Sequence, residues 1–283
     1  MGQTRSGVGV PVRNPKGYPV NALFSTELLK LQRQPGVLFW GFLSVPATAL
    51  AFKIALEGFF FLRSGNFPQG QTDILLSAAQ SLGIAGNPIA QLLYVIGVSS
   101  VFYVEYRFLA WRNLVPRAGR FPLLAAKFAV CLLWMVIGLV LTVVGDMILN
   151  TALNFLRDGT SGRAPIQAGS ILVLSAAFAI AFLELASLAA IAATLTIIFR
   201  SMIAAVVPVF LVGIACSILQ AYFGAAIASV PMPSFAADAA RAWLFAGAEG
   251  PYGIARFGTL LAWLLAAATA GSLIFWRQPL NTE

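Results

Sequence analysis

Long apolar runs alternate with short polar breaks along almost the whole of this 283-residue chain. Six runs are long enough to cross about 30 Å of hydrocarbon at about 1.5 Å per residue. They cover 36–62, 87–108, 122–150, 169–199, 202–228 and 254–276. Their Leu, Ala, Ile and Val lack the period-two alternation of a transmembrane barrel strand, so the pattern predicts helices. Asn87 and Pro88 open the second run as an N-cap and a first-turn proline. The expected fold is an all-α polytopic membrane protein with a transmembrane domain over 36–276.

A shorter element precedes the first run. Over 18–35, Val20, Leu23, Phe24, Leu28 and Leu31 fall on one helical stripe, while Ser25, Lys30, Gln32 and Arg33 face away. The pattern predicts an amphipathic helix along the membrane interface, ended by Pro35. Glu27 falls inside the apolar stripe; it either pairs with Lys30 three residues on or faces a partner chain. Residues 1–17 read as a disordered tail, and 277–283 as a short polar tail. Between the last two runs, 229–253 holds Pro231, Pro233, Gly247, Gly250 and Pro251 around the apolar stretch Phe235 to Phe245. That composition suits either short helices dipping back into the interface or an ordinary loop.

Composition agrees with this outline. Hydrophobic residues make up 59% of the chain and charged residues only 10%, against about a quarter charged in soluble domains. There is no histidine, which excludes His-ligated metal centres and Ser-His or Cys-His triads. Cys131 and Cys216 both lie in apolar runs and read as small buried hydrophobes. The N-terminal residues lack the apolar core of a cleavable signal peptide.

The 18 basic and 10 acidic residues leave a net charge of +8, and topology accounts for it better than nucleic-acid binding does. With both ends inside, the basic residues at 5, 13, 16, 30, 33, 107, 112, 117, 120, 127, 200 and 277 face the cytoplasm. Only those at 63, 157, 163, 241 and 256 face out, and Lys53 sits within a run. This is the positive-inside pattern, so the expected topology is N-in/C-in. Alanine- and arginine-rich, lysine-poor usage suggests a bacterial inner membrane.

Four ionisable residues fall inside the predicted spans, where a charge costs about 2.5–3.5 kcal/mol on insertion scales. Lys53 and Glu57 share a face at i, i+4 and are placed to neutralise one another. Asp146 stands near the outer end of the third span, within reach of headgroup water. Glu184 is at the middle of the fourth; it either meets a residue on another helix, such as Lys53, or lines a path or subunit seam. The most charged connection, Glu105 to Arg120, begins with the acidic Glu105 and is otherwise aromatic and basic, with Arg107, Trp111, Arg112, Arg117 and Arg120. It serves either as an interfacial anchor or as a docking helix for a cytosolic partner.

These features together resemble the permease subunit of ABC-2 type transporters. That family carries E-x-x-K-x-x-R on an interfacial elbow helix, found here as Glu27, Lys30 and Arg33. A Glu-led coupling helix with a Pro-Arg ending and a following Lys appears as Glu105, Pro116-Arg117 and Lys127, and re-entrant helices before the last span match Phe235 to Gly253. The resemblance implies a non-catalytic exporter subunit that forms half of a path with a second permease copy or a sister permease. It further implies a separate cytoplasmic ATPase subunit supplying ATP and Mg, because this chain has no G-x-x-x-x-G-K-[ST] phosphate cradle. The resemblance covers Glu105 to Arg120 as the ATPase-coupling segment and assigns no cofactor to this chain. An ion- or proton-coupled secondary transporter built on Lys53, Glu57, Asp146 and Glu184 is the alternative, and an inner-membrane assembly or scaffold protein is a third.

Overall fold

In a computed structural model, residues 20–65, 73–158, 168–224, 229–246 and 252–278 are described. The predicted tail 1–17 and most of 277–283 lie outside them. Helices α1 (Val20–Gln32) and α2 (Pro35–Ser64) are separated by a turn, as Pro35 requires. There follow α3 (Ile74–Gly86), α4 (Pro88–Arg107), α5 (Ala110–Ala118), α6 (Arg120–Asp158), α7 (Ala168–Phe199), α8 (Met202–Phe223), α9 (Pro233–Ala246) and α10 (Tyr252–Arg277). Among the described residues there are no strands, and α2, α4, α6, α7, α8 and α10 are each long and apolar enough to span a membrane. The chain is an all-α polytopic membrane protein.

Most expected boundaries hold to within two or three residues. Asn87 caps α4, accepting from the amides of Ile89 (2.9 Å) and Ala90 (3.4 Å), with Pro88 as the first helical residue. The third span is longer than expected, with α6 running to Asp158 instead of stopping near 150. The proposed tail of the fifth span, 225–228, lies outside the described residues.

Two short helices were not resolved by the hydropathy pattern. The α3 helix has no counterpart in the six-run outline. Yet Asp73 caps it through its side chain, accepting from Leu75 N at 3.0 Å, and Ile74, Ala78, Leu82 and Ala85 are buried at helical spacing. The α9 helix settles 233–246 as a helix packed against α7, α8 and α10. Its 14 residues span only about 21 Å, too little to cross. Phe235, Ala236, Ala237 and Ala240 are buried on its inner face.

Small residues set the closest approaches. A Cβ on Gly97 would sit 2.8 Å from the Gly41 Cα, so α2 and α4 touch backbone to backbone. Around that contact α2 loosens into a π-helical segment, Phe39–Leu43. Thr194 of α7 donates to the carbonyl of Ala267 on α10 at 2.8 Å, and Gly271 leaves room for that hydroxyl. Cys131 and Cys216 are both free and buried.

Candidate functional site

Among the described residues, the buried charged side chains gather into three networks at three depths. The first is at the basic end, where α1, the last turn of α4 and the first turns of α6 meet. Lys127 Nζ donates to Glu27 Oε2 at 2.5 Å and to Glu105 Oε1 at 2.8 Å, and Lys30 Nζ donates to the same two acids at 2.6 and 3.2 Å. Glu27, Glu105 and Lys127 are buried. Glu27 therefore lies in the apolar stripe of α1 because Lys127 waits beneath it. Burial pulls the Lys30 ammonium down, but Glu27 and Glu105 outweigh that and hold it above its ordinary value.

Trp111 closes this cluster from the α5 side. It is buried, with Lys127 Nζ 5.7 Å from its ring and Phe275 of α10 packed at 4.7 Å between centroids. Helix α5 is amphipathic: Trp111, Leu114, Val115 and Ala118 turn inward at i, i+3, i+4 and i+7, while Arg112 and Pro116 are exposed. A left-handed Leu109 (φ 51°) makes the sharp turn from α4 into α5. Arg120 reaches the last turn of α10. Its Nη1 donates to the carbonyls of Phe275 (2.9 Å), Trp276 and Gln278 (3.0 Å), capping the C-terminus of α10. Gln278 in turn accepts from Tyr106 and donates to Ile197 O at 3.0 Å.

The six residues expected to contact a partner thus divide. Glu105 and Trp111 are buried and Arg120 is half-buried, and all three bond or pack within the chain. Arg107 and Arg112 are exposed, Arg107 stacked 5.5 Å over the exposed Phe108 ring. The side chain of Arg117 lies outside the described residues. On the elbow helix Arg33 is exposed.

The second network lies deep in the bundle. Glu184, fully buried, is fifteen residues from the basic end of α7, or about 23 Å. Arg241 of α9 donates to it through Nη1 at 2.6 Å and Nη2 at 3.4 Å, and Arg241 also holds Asp238 at 2.6 Å. Gln91 of α4 donates to Glu184 Oε1 and to Ala85 O, both at 3.0 Å. A Cβ on Gly86 would meet the Arg241 guanidinium, so the glycine clears its seat. Glu184 thus meets a residue on another helix, and that residue is Arg241 of α9 and not Lys53, which pairs with Asp146.

The third network ties α2, α3 and α6 toward the outer end. Lys53 pairs with Asp146 rather than with Glu57 one turn along its own helix. Ser77 Oγ donates to Asp146 Oδ2 at 3.0 Å, and Asn150 Nδ2 donates to Asp146 Oδ2 at 2.7 Å and to Ser77 Oγ at 2.9 Å. Asp146 is buried here instead of reaching headgroup water, because α3, absent from the run pattern, covers it. Glu57 is half-buried on the outer part of α2. Among the described residues no group of three or more His, Cys, Asp and Glu could hold a metal ion.

The fold and these networks define a polytopic helical membrane protein with ion pairs buried inside the bundle. No family model, no curated protein and no solved structure matches the chain.

Proposed function

We propose that the chain is the membrane subunit of an ABC-2 type exporter, forming half of a translocation path and driven by a separate ATPase. The single observation that carries this reading is the Glu27–Lys30–Glu105–Lys127 cluster. It welds the interfacial helix α1 to both helices that flank α5, so a push on α5 is delivered to α1, α4 and α6 together. Arg107, Phe108, Leu109 and Arg112 are left exposed on that end as a basic and aromatic surface, the composition of a docking patch. A cytosolic ATPase dimer closing on ATP would grip this surface.

The ion-relay alternative finds less support. Lys53 and Asp146 lie in one network and Glu184 in another, on different helices and at different depths. A proton path needs groups in succession.

Co-purification tests the reading. A tagged chain isolated from its own membrane in mild detergent should bring down a protein with a Walker A motif, and R107E/R112E should reduce its recovery at least tenfold with insertion unchanged. Recovery of no such ATPase, or equal recovery with the double variant, overturns it. Glu105 is a poor probe because its loss would unfold the cluster behind the patch.

A further inference from the structure

A cavity of about 210 Å³ lies between α4, α6, α7 and α10. Phe102, Ala190 and Ile197 form its buried floor, and the exposed Phe121 and Ala125 form a rim on the lipid-facing side of α6. Its position along the membrane is narrow. Phe128, the deepest lining residue on α6, is eight residues from Arg120, and Ala268 is nine residues from Arg277. Both distances are within about 14 Å of the basic end, the depth of one leaflet.

The lining selects what can enter. The hydroxyls beside it are committed: Thr194 donates to Ala267 O at 2.8 Å and Ser272 to Ala268 O at 2.7 Å. A polar ligand would find no partner, and an apolar cavity of about 150 Å³ already stays dry and takes a benzene-sized guest. Pockets for drug-sized molecules begin at about 300 Å³, so this one holds part of a molecule whose remainder stays outside. The exposed Arg277 ends α10 on the basic side, at headgroup depth, where a cation favours an anionic phosphate.

We propose that this cavity takes one acyl chain of a phospholipid drawn laterally from the leaflet on the basic side. The site goes beyond the transport reading and stands whether or not an ATPase binds.

The test uses the full chain in nanodiscs containing phosphatidylglycerol with a diazirine on one acyl chain, with labelled residues mapped by mass spectrometry after illumination. The expected result is label on the buried Phe102, Ala190 or Ile197. A193L, which fills the cavity, should cut that label at least tenfold while leaving label on the exposed Leu211 of α8 unchanged. If A193L does not fold, A125F at the rim should give the same selective loss. Label confined to exposed residues in the wild type, or buried label unmoved by either variant, overturns the proposal. Buried label from free diazirine-palmitate but not from the phospholipid overturns it as well.

Discussion

Arg241, on a helix too short to cross the membrane, donates at 2.6 Å to Glu184 at the middle of the fourth span. The pair pins α9 into the bundle and gives Glu184 a structural partner there.

Breaking this pair from one side should be costly, because removing one partner of a buried ion pair costs about 3–5 kcal/mol. R241L leaves Glu184 buried beside only Gln91, and should lower the thermal unfolding midpoint in detergent sharply. E184Q/R241L should recover most of the loss. A single variant as stable as wild type would mean that water reaches Glu184.

The basic-end cluster makes a parallel prediction. K127M strands Glu27 and Glu105 with Lys30 alone, for a loss of about 3–5 kcal/mol, while E27Q/E105Q/K127M should be markedly milder. Limited proteolysis at the α1–α2 turn reads whether α1 has come away. In K127M the turn should be cut faster than in wild type, and equal rates would count against the weld.

Lys30 adds a pH dependence. Its ammonium is held above the ordinary 10.5, so its share of stability is complete below that value and is lost as pH rises through the higher folded value. The unfolding midpoint should therefore lose nothing from Lys30 between pH 7 and 9. K30M should weaken the decline in stability on the alkaline side. A wild-type decline equally steep in K30M would assign the effect elsewhere.

The backbone contact between α2 and α4 tolerates no side chain. G97A places a Cβ 2.8 Å from Gly41 Cα and should destabilise by about 1–3 kcal/mol through overpacking. G58A, on α2 away from that contact, meets open space and serves as the control, with a midpoint at or above wild type.

What the sequence determined by itself was the set of membrane-crossing elements. Hydrocarbon demands about twenty apolar residues with every backbone group bonded inside the helix, and that demand is written locally, so the six spans and the capped start of α4 could be read directly. The stripe of α1 was equally legible, including the anomaly of Glu27. The elements and contacts that answer to other parts of the chain were not. Helix α3 is short and sits where its neighbours, not lipid, satisfy it. Asp146 accepts from Lys53, 93 positions away, Glu184 pairs with a residue 57 positions on, and Glu27 with one 100 positions on. A charge in an apolar run announces that a partner must exist, because its desolvation has to be offset. Which partner it meets depends on how six helices pack, and only the tertiary structure decided that. The same packing buried Glu105 and Trp111 and left Arg107 and Arg112 on the surface.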